Sequence, residues 1–260
     1  MAPDSPGGGN LLKDAAAFYA AVAPVYDRDY ALGPASTRLQ TAWLARRCPP
    51  GPVLDLGCGS GRMLAPLAQA GFTPAIGLDC VPEMLALARQ AGSARQAGPA
   101  RQAGPARQAG PAASLVQARA EAGLPFGAAS FALIVSLHAA LIHLTDPEAV
   151  AGLIADCHRT LRPGGWLVIE VPHPRSYPPD SPPGRWRPFT PGISCRRVED
   201  GLEELRLDER GGIRTRVRLW EIADLQRWFE PFSRVELHPG FAGGRFDPNK
   251  GLVMVVAARR

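Results

Sequence analysis

The sequence predicts an α/β protein built on a doubly wound, mostly parallel sheet. Two junctions carry that expectation. An apolar strand, Pro52 to Leu56, runs straight into glycines at every second position, Gly57, Gly59 and Gly61, and a helix-like pattern follows through Met63, Leu64, Leu67 and Ala68. About twenty residues on, Thr73 to Asp79 reads as a second short strand that ends in a carboxylate. Farther along, Phe131 to Leu137, Asp146 to Leu161 and Trp166 to Val171 repeat the alternation of strand, helix and strand.

The spacing at the first junction narrows the ligand. Strand, glycine turn and helix let a ligand's polar groups approach main-chain N–H groups without side chains in the way. A dinucleotide fingerprint needs G-x-G-x-x-G, and Arg62 stands where its last glycine belongs. The run is instead D-x-G-x-G-x-G, from Asp55 to Gly61. Asp79 suits the two donors of a ribose diol, and by itself would equally cap the helix that begins near Pro82.

This pattern resembles motif I of the class I S-adenosylmethionine-dependent methyltransferases, and the R-P-G-G turn at Arg162 to Gly165 is a second hallmark of that family. The resemblance covers nearly the whole chain, most firmly Val53 to Asp79 and Phe131 to Val171. It implies a Rossmann-like, seven-stranded sheet and S-adenosylmethionine as cofactor. It places Asp55, Gly57, Cys58, Gly59 and Gly61 around that cofactor, Asp79 on the ribose with Cys80 beside it, and Leu137 at the end of the fourth strand. Arg119 to Phe126 resembles the family's D-A-x-x-L-P-F element, whose acid faces the adenine amino group. Arg119 falls near that acid, with Glu121 as its substitute.

Taken in order, residues 1–10 are proline, glycine and polar residues, read as a tail without the charged start and apolar middle of a signal peptide. Leu11 to Ala23 has helical spacing and stops at Pro24; a second helix covers about Ala35 to Arg47. Between them, Tyr26-Asp27-Arg28-Asp29-Tyr30 resembles the family's Y-D-x-x-Y cover segment, which implies that Tyr26 and Tyr30 close the site. A helix from about Val81 to Gln90 leads into four near-copies of R-Q-A-G-(P/S)-A over Arg89 to Ala112. Proline and glycine preclude a continuous helix there, so the repeats read as a flexible insertion. Ser114 to Ala118 is the third strand.

Residues 172–219 read as a proline-rich loop followed by a hairpin lid, with no regular element between Pro172 and Pro191. In the hairpin, Leu205 and Leu207 share a face, and Arg214, Arg216 and Arg218 lie opposite Ile213, Val217 and Leu219. An odd-length turn joins the apolar faces and sets Asp208 against Arg214 and Glu204 against Arg218. That pairing neutralises much of the arginine stripe and speaks against a nucleic-acid partner. A helix at Glu221 to Phe229 and strands at Ser233 to Leu237 and Gly251 to Ala258 complete a single domain over residues 11–260.

Composition excludes some classes. The net charge of +5 permits acidic partners without demanding them. The apolar runs are strand-sized, far below the roughly 20 residues of a membrane span. The cysteines (Cys48, Cys58, Cys80, Cys157, Cys195) lack metal-ligand or disulfide spacing, which points to reduced thiols, no metal and a cytoplasmic setting.

Methyl transfer from a sulfonium is an in-line displacement that needs orientation more than a base. His138, His143 and His173 fall near strand ends, with His143 and His173 as candidate bases; Pro172 and Pro174 hold His173 extended. The N/D-P-P-Y/F element for planar nitrogens is absent, the strand end reading Ser136-Leu137-His138. The expectation is methylation of a small-molecule N, O or C nucleophile. An RNA or protein methyltransferase and a non-catalytic cofactor binder are the alternatives.

Overall fold

The computed structural model describes residues 12, 14–30, 32–96, 113–176, 183–190, 192–199, 201–208 and 212–260. In chain order these form α1 (Ala15–Val22), α2 (Tyr26–Asp29), α3 (Pro34–Arg47), β1 (Val53–Leu56), α4 (Leu64–Gln69), β2 (Ala75–Asp79), α5 (Pro82–Gln96), β3 (Ser114–Gln117), β4 (Phe131–Ser136), α6 (Pro147–Thr160) and β5 (Leu161–Pro172). Then follow β6 (Arg187–Thr190), β7 (Ile193–Glu199), β8 (Leu202–Leu207), β9 (Arg214–Arg218), α7 (Ile222–Trp228), β10 (Arg234–His238) and β11 (Val253–Arg259).

The main sheet has seven strands in the order β10-β11-β5-β4-β1-β2-β3. β1 to β5 pair in parallel, and β11 runs against both β5 and β10. From β1 the chain first winds outward through β2 and β3, then crosses back to β4. That reversal leaves a crevice beyond the carboxyl ends of β1 and β4, where ligands bind in open α/β sheets.

Alternation along the strands builds two cores. Leu54, Ile134, Leu167, Ile169 and Val256 face one side with α6 and α7, in a cluster that includes Val150, Ile154 and Phe229. Val53, Leu133, Val135, Val168 and Val255 face the other, with Trp43 and Leu44 of α3 and Leu67 of α4. Both faces are covered, which is why these strands read as continuous apolar runs.

Several expected boundaries move for local reasons. α1 begins after Asp14, whose carboxylate accepts the Ala17 N–H at 2.9 Å and caps the helix. α5 runs on through Arg89–Ala94 to Gln96, correcting the expected break. That first repeat carries Ser93 where the other copies have proline, so no helix N–H is lost. Residues 97–112, with the other copies, lie outside the described residues. The R-P-G-G turn is a bulge inside β5, since the register shifts between Phe131↔Leu161 and Leu133↔Trp166.

The larger correction concerns residues 172–219. In place of a loop and one hairpin there is a second antiparallel sheet, β6-β7-β8-β9. Pro188 is tolerated because β6 is an edge strand that pairs only with β7. The β8–β9 register sets Glu204 opposite Arg216 and Leu205 opposite Thr215, two residues from the expected pairing, although the parity of the faces holds. The arginines are neutralised by other partners than expected. Arg196 (2.8 Å), Arg214 (3.6 Å) and Arg216 (3.5 Å) converge on Glu204, and Arg206 pairs with Asp208 at 3.0 Å. Leu12 bridges to Arg214 on β9, and α1 packs between β9 and α5 over the crevice. No helix among the described residues is long and apolar enough to cross a membrane.

Candidate active site

β1 ends at the buried Asp55, and the chain turns through Gly57, Gly59 and Gly61 at φ of 69°, 53° and 76°. Glycine adopts this left-handed region without the penalty a Cβ imposes. Two of the three are also needed for packing: a Cβ on Gly57 would lie 2.6 Å from that of Ala140, and one on Gly61 3.0 Å from that of Ala88. A Cβ on Gly59 would meet only the Tyr26 ring, at 3.8 Å or more.

The turn does not offer the amide cradle that strand, turn and helix led us to expect. Gly57 and Cys58 donate their N–H groups to Leu78 O (2.8 and 3.1 Å), Gly61 donates to Cys58 O (2.9 Å), and Gly59 donates to Asp79 Oδ2 (2.9 Å). With these donors satisfied internally, a pyrophosphate finds little to bind. What faces the cavity instead is carboxylate, suited to hydroxyl donors and positive charge.

Asp79 fills both roles open to it. Its Oδ1 accepts the Val81 N–H at 2.9 Å at the start of α5, while Oδ2 holds Gly59, so one buried carboxylate fixes helix and turn together. Burial raises its pKa, opposed by these backbone N–H groups. Burial also pushes the Asp55 carboxyl up to about 7, with Arg62 opposing. The Arg62 guanidinium is held from α3, donating to Thr37 Oγ1 (2.7 Å) and Gln40 Oε1 (2.9 Å).

These groups line a cavity of about 140 Å³ whose opposite wall is Tyr19, Tyr26, His138 and His143, with Leu137 and Met84 between. Ser60 donates to Asp27 at 2.5 Å and bolts α2 onto the glycine turn, which seats Tyr26 over Gly59. The Tyr19 hydroxyl lies 3.0 Å from His143 Nε2, and the Tyr26 hydroxyl 3.5 Å from His138 Nδ1. Burial pushes the Tyr26 phenol up to about 12, and the Tyr19 phenol higher. It pushes the His143 imidazole down to about 4; burial and then the Arg62 charge lower that of His138. A second cavity of about 330 Å³ shares Gly57, Cys80, Ala140 and His143 with the first and reaches Glu121, Ser136 and Thr215.

The structure thus brings Asp55, Gly57, Cys58, Gly59, Asp79, Cys80, Leu137, Tyr26 and His143 together around the first cavity. Gly61 lies behind it, packed on Ala88. Glu121 stands at the rim of the second, bound to Arg119 (3.3 Å), which also pairs with Asp14 at the start of α1. Tyr30 packs behind Tyr26, ring centroids 6.4 Å apart, outside both linings.

His173 is corrected outright. It is fully buried, accepts the Arg175 N–H on Nδ1 at 3.0 Å and packs on Phe246 and Gly251, lining neither cavity. Its extended backbone turns the ring into the protein. Sequence reasoning missed Tyr19, read as one more position on a helix face, and Arg62. It also missed Glu170, whose signal was a lone carboxylate in an apolar strand.

Residues 54–169 match the family model described as a methyltransferase domain. No curated protein matches the chain by sequence. Among solved structures, the chain is similar to the CcbJ methyltransferase from Streptomyces caelestis, at 20% identity and a TM-score of 0.72 over 92% of this chain and 95% of that one. The sugar N-methyltransferase KedS8 from Streptoalloteichus superposes at 17% identity and a TM-score of 0.60, covering 100% and 98%. The amino pentose methyltransferase CalS10 from Micromonospora echinaspora, solved with S-adenosylmethionine bound, does so at 20% and 0.57, covering 86% and 92%. At these identities the likeness to solved structures is one of fold.

Proposed function

The chain carries a class I S-adenosylmethionine-dependent methyltransferase domain, and from that premise we propose that it methylates the amine nitrogen of a small polar molecule. The state of the acceptor wall carries this reading. Both phenols hold their protons, and both imidazoles are uncharged, weakly basic rings. An aliphatic hydroxyl would need a base to become a nucleophile; a neutral amine brings its own lone pair. Two fold neighbours described as an amino pentose and a sugar N-methyltransferase support an amino sugar as the acceptor class.

The bound cofactor supplies a methyl group already activated on sulfur. The chain's part is to orient and enclose. Asp79 receives the ribose hydroxyls, Asp55 the amino-acid ammonium and Arg62 its carboxylate, while Tyr19 and Tyr26 keep water from the transfer point. Orientation of this kind is worth roughly 7–11 kcal/mol of barrier. The free thiols fit a reducing cytoplasm as its working place.

An assay that follows S-adenosylhomocysteine against paired amino and hydroxy sugars, an RNA and a basic peptide tests the reading. Turnover on the amino sugars alone is the expected result. Turnover on the hydroxy partners, on RNA or on peptide, or none on any acceptor, overturns it.

Asp55 makes binding depend on pH. Its folded pKa lies above its unfolded value, so its contribution to the stability of the ligand-free protein is present at low pH and lost as pH rises through about 7. A cationic ligand group reverses the preference and favours the ionised form. S-adenosylhomocysteine affinity should therefore climb by up to about tenfold per unit toward pH 7 and flatten above it, with proton release on binding. Calorimetry in buffers of different ionisation enthalpy reads both. Flat affinity from pH 5.5 to 8.5 would remove Asp55 from this role.

A further inference from the structure

His138 and Ala139, consecutive residues at the cavity wall, adopt left-handed conformations (φ 57° and 64°) although neither is glycine. Such strain persists only where the surroundings over-determine it, and an observed outlier is a pointer to function. One residue supplies the restraint. The Glu170 carboxylate Oε2 accepts the His138 N–H at 2.8 Å, and the Glu170 carbonyl accepts the Ala139 N–H at 3.2 Å. The same Oε2 accepts Gln40 Nε2 at 3.0 Å, and Gln40 Oε1 takes a bond from Arg62 Nη1 at 2.9 Å, which fixes the amide's orientation. Glu170 is buried in an otherwise apolar strand, a costly place for a carboxylate.

We propose that Glu170 is a positioning residue of the transfer step: it clamps the His138–Ala139 turn so that the His138 imidazole stands against Tyr26 and meets the amine at the transfer point. This deepens the amine reading above and rests on it. The ring is exposed to the cavity, and His138 Nδ1 lies 3.5 Å from the Tyr26 hydroxyl. An uncharged imidazole has one nitrogen free to accept a hydrogen bond from an amine N–H, which aims the lone pair. Released from Glu170, the turn would relax and the ring would leave that line. A carboxylate that merely tied β5 to α3 would stabilise the fold without discriminating between ligands.

The test uses two probes and needs no acceptor. S-adenosylhomocysteine fills the cofactor site alone; sinefungin adds an amine where the sulfonium and its methyl stand. In calorimetry, Glu170→Ala and His138→Ala should each weaken sinefungin by about tenfold or more, the size of a hydrogen bond to a charged group. S-adenosylhomocysteine should stay within about threefold, and the double variant should lose no more than either single one. Glu170→Gln, which keeps a carbonyl acceptor for the His138 N–H, should restore sinefungin to within about threefold of wild type.

If Glu170→Ala does not fold, Gln40→Ala, which frees one side of the clamp, should show the same loss confined to sinefungin. Equal losses for both probes, additive losses in the double variant, or unchanged sinefungin binding would overturn the positioning role. Failure of the wild-type protein to bind S-adenosylhomocysteine would overturn the cofactor reading itself.

Discussion

Replacing Gly57 by alanine is expected to lower S-adenosylhomocysteine affinity at least about a hundredfold while the protein still folds, since a misplacement near 1 Å has that effect. Two costs meet at this residue. A side chain at φ 69° lies in the left-handed region, at roughly 1–2 kcal/mol for a non-glycine residue. The new Cβ would stand 2.6 Å from Ala140 Cβ, well inside the roughly 3.5–4.0 Å of carbon contact, so something must move.

Ala140 follows the strained His138–Ala139 turn and lines both cavities. Displacing it therefore shifts the acceptor wall and the cofactor wall together. The combined strain, about 2–5 kcal/mol, should also lower Tm, at about 2–4 °C per kcal/mol in a domain of this size. Calorimetry and thermal melts read the two effects. Affinity within threefold of wild type would mean that the turn relaxes freely and that its packing does not shape the site.

Asp79→Ala should do comparable harm by another route. From the sequence, the cost was the loss of one charge-assisted pair with a ribose, about 1.5–3 kcal/mol of affinity. The structure adds two further bonds, to the Val81 and Gly59 N–H groups. Losing the first removes a helix cap worth about 0.5–2 kcal/mol, and losing the second frees the middle of the glycine turn. The variant should melt several degrees lower and bind S-adenosylhomocysteine at least about a hundredfold more weakly. Asp79→Asn, which keeps one oxygen acceptor, should fall between. Wild-type affinity in a folded alanine variant would dismiss the assignment.

Much of the fold was legible because its signals are local. The glycine run, the carboxylate at the end of β2 and the apolar runs of β4 and β5 each follow from residues adjacent in the chain. The doubly wound sheet needs little else, and the cofactor wall comes with it, since Asp55, the glycines and Asp79 sit at strand ends that the sequence marks. The second sheet was less visible. Pro188 argued against a strand, and only pairing with β7 at an edge makes it acceptable. Likewise the hairpin's alternation determined which residues share a face, while the register, off by two, depended on where Glu204 finds its arginines.

The acceptor wall is where sequence reasoning ran out. By itself the sequence determined a class I methyltransferase sheet, its cofactor and the motif residues that serve it, because strand, turn and helix signals and short motifs act over neighbouring positions. Only the tertiary structure decided which histidine faces the cavity. His173 lies between prolines just past a strand, as a base would, yet is packed against Phe246. His138 is held in place by Glu170, thirty-two positions away in the chain. Hydrogen bonds and burial between distant segments set both side-chain direction and pKa, and neither quantity is written in any local stretch of residues.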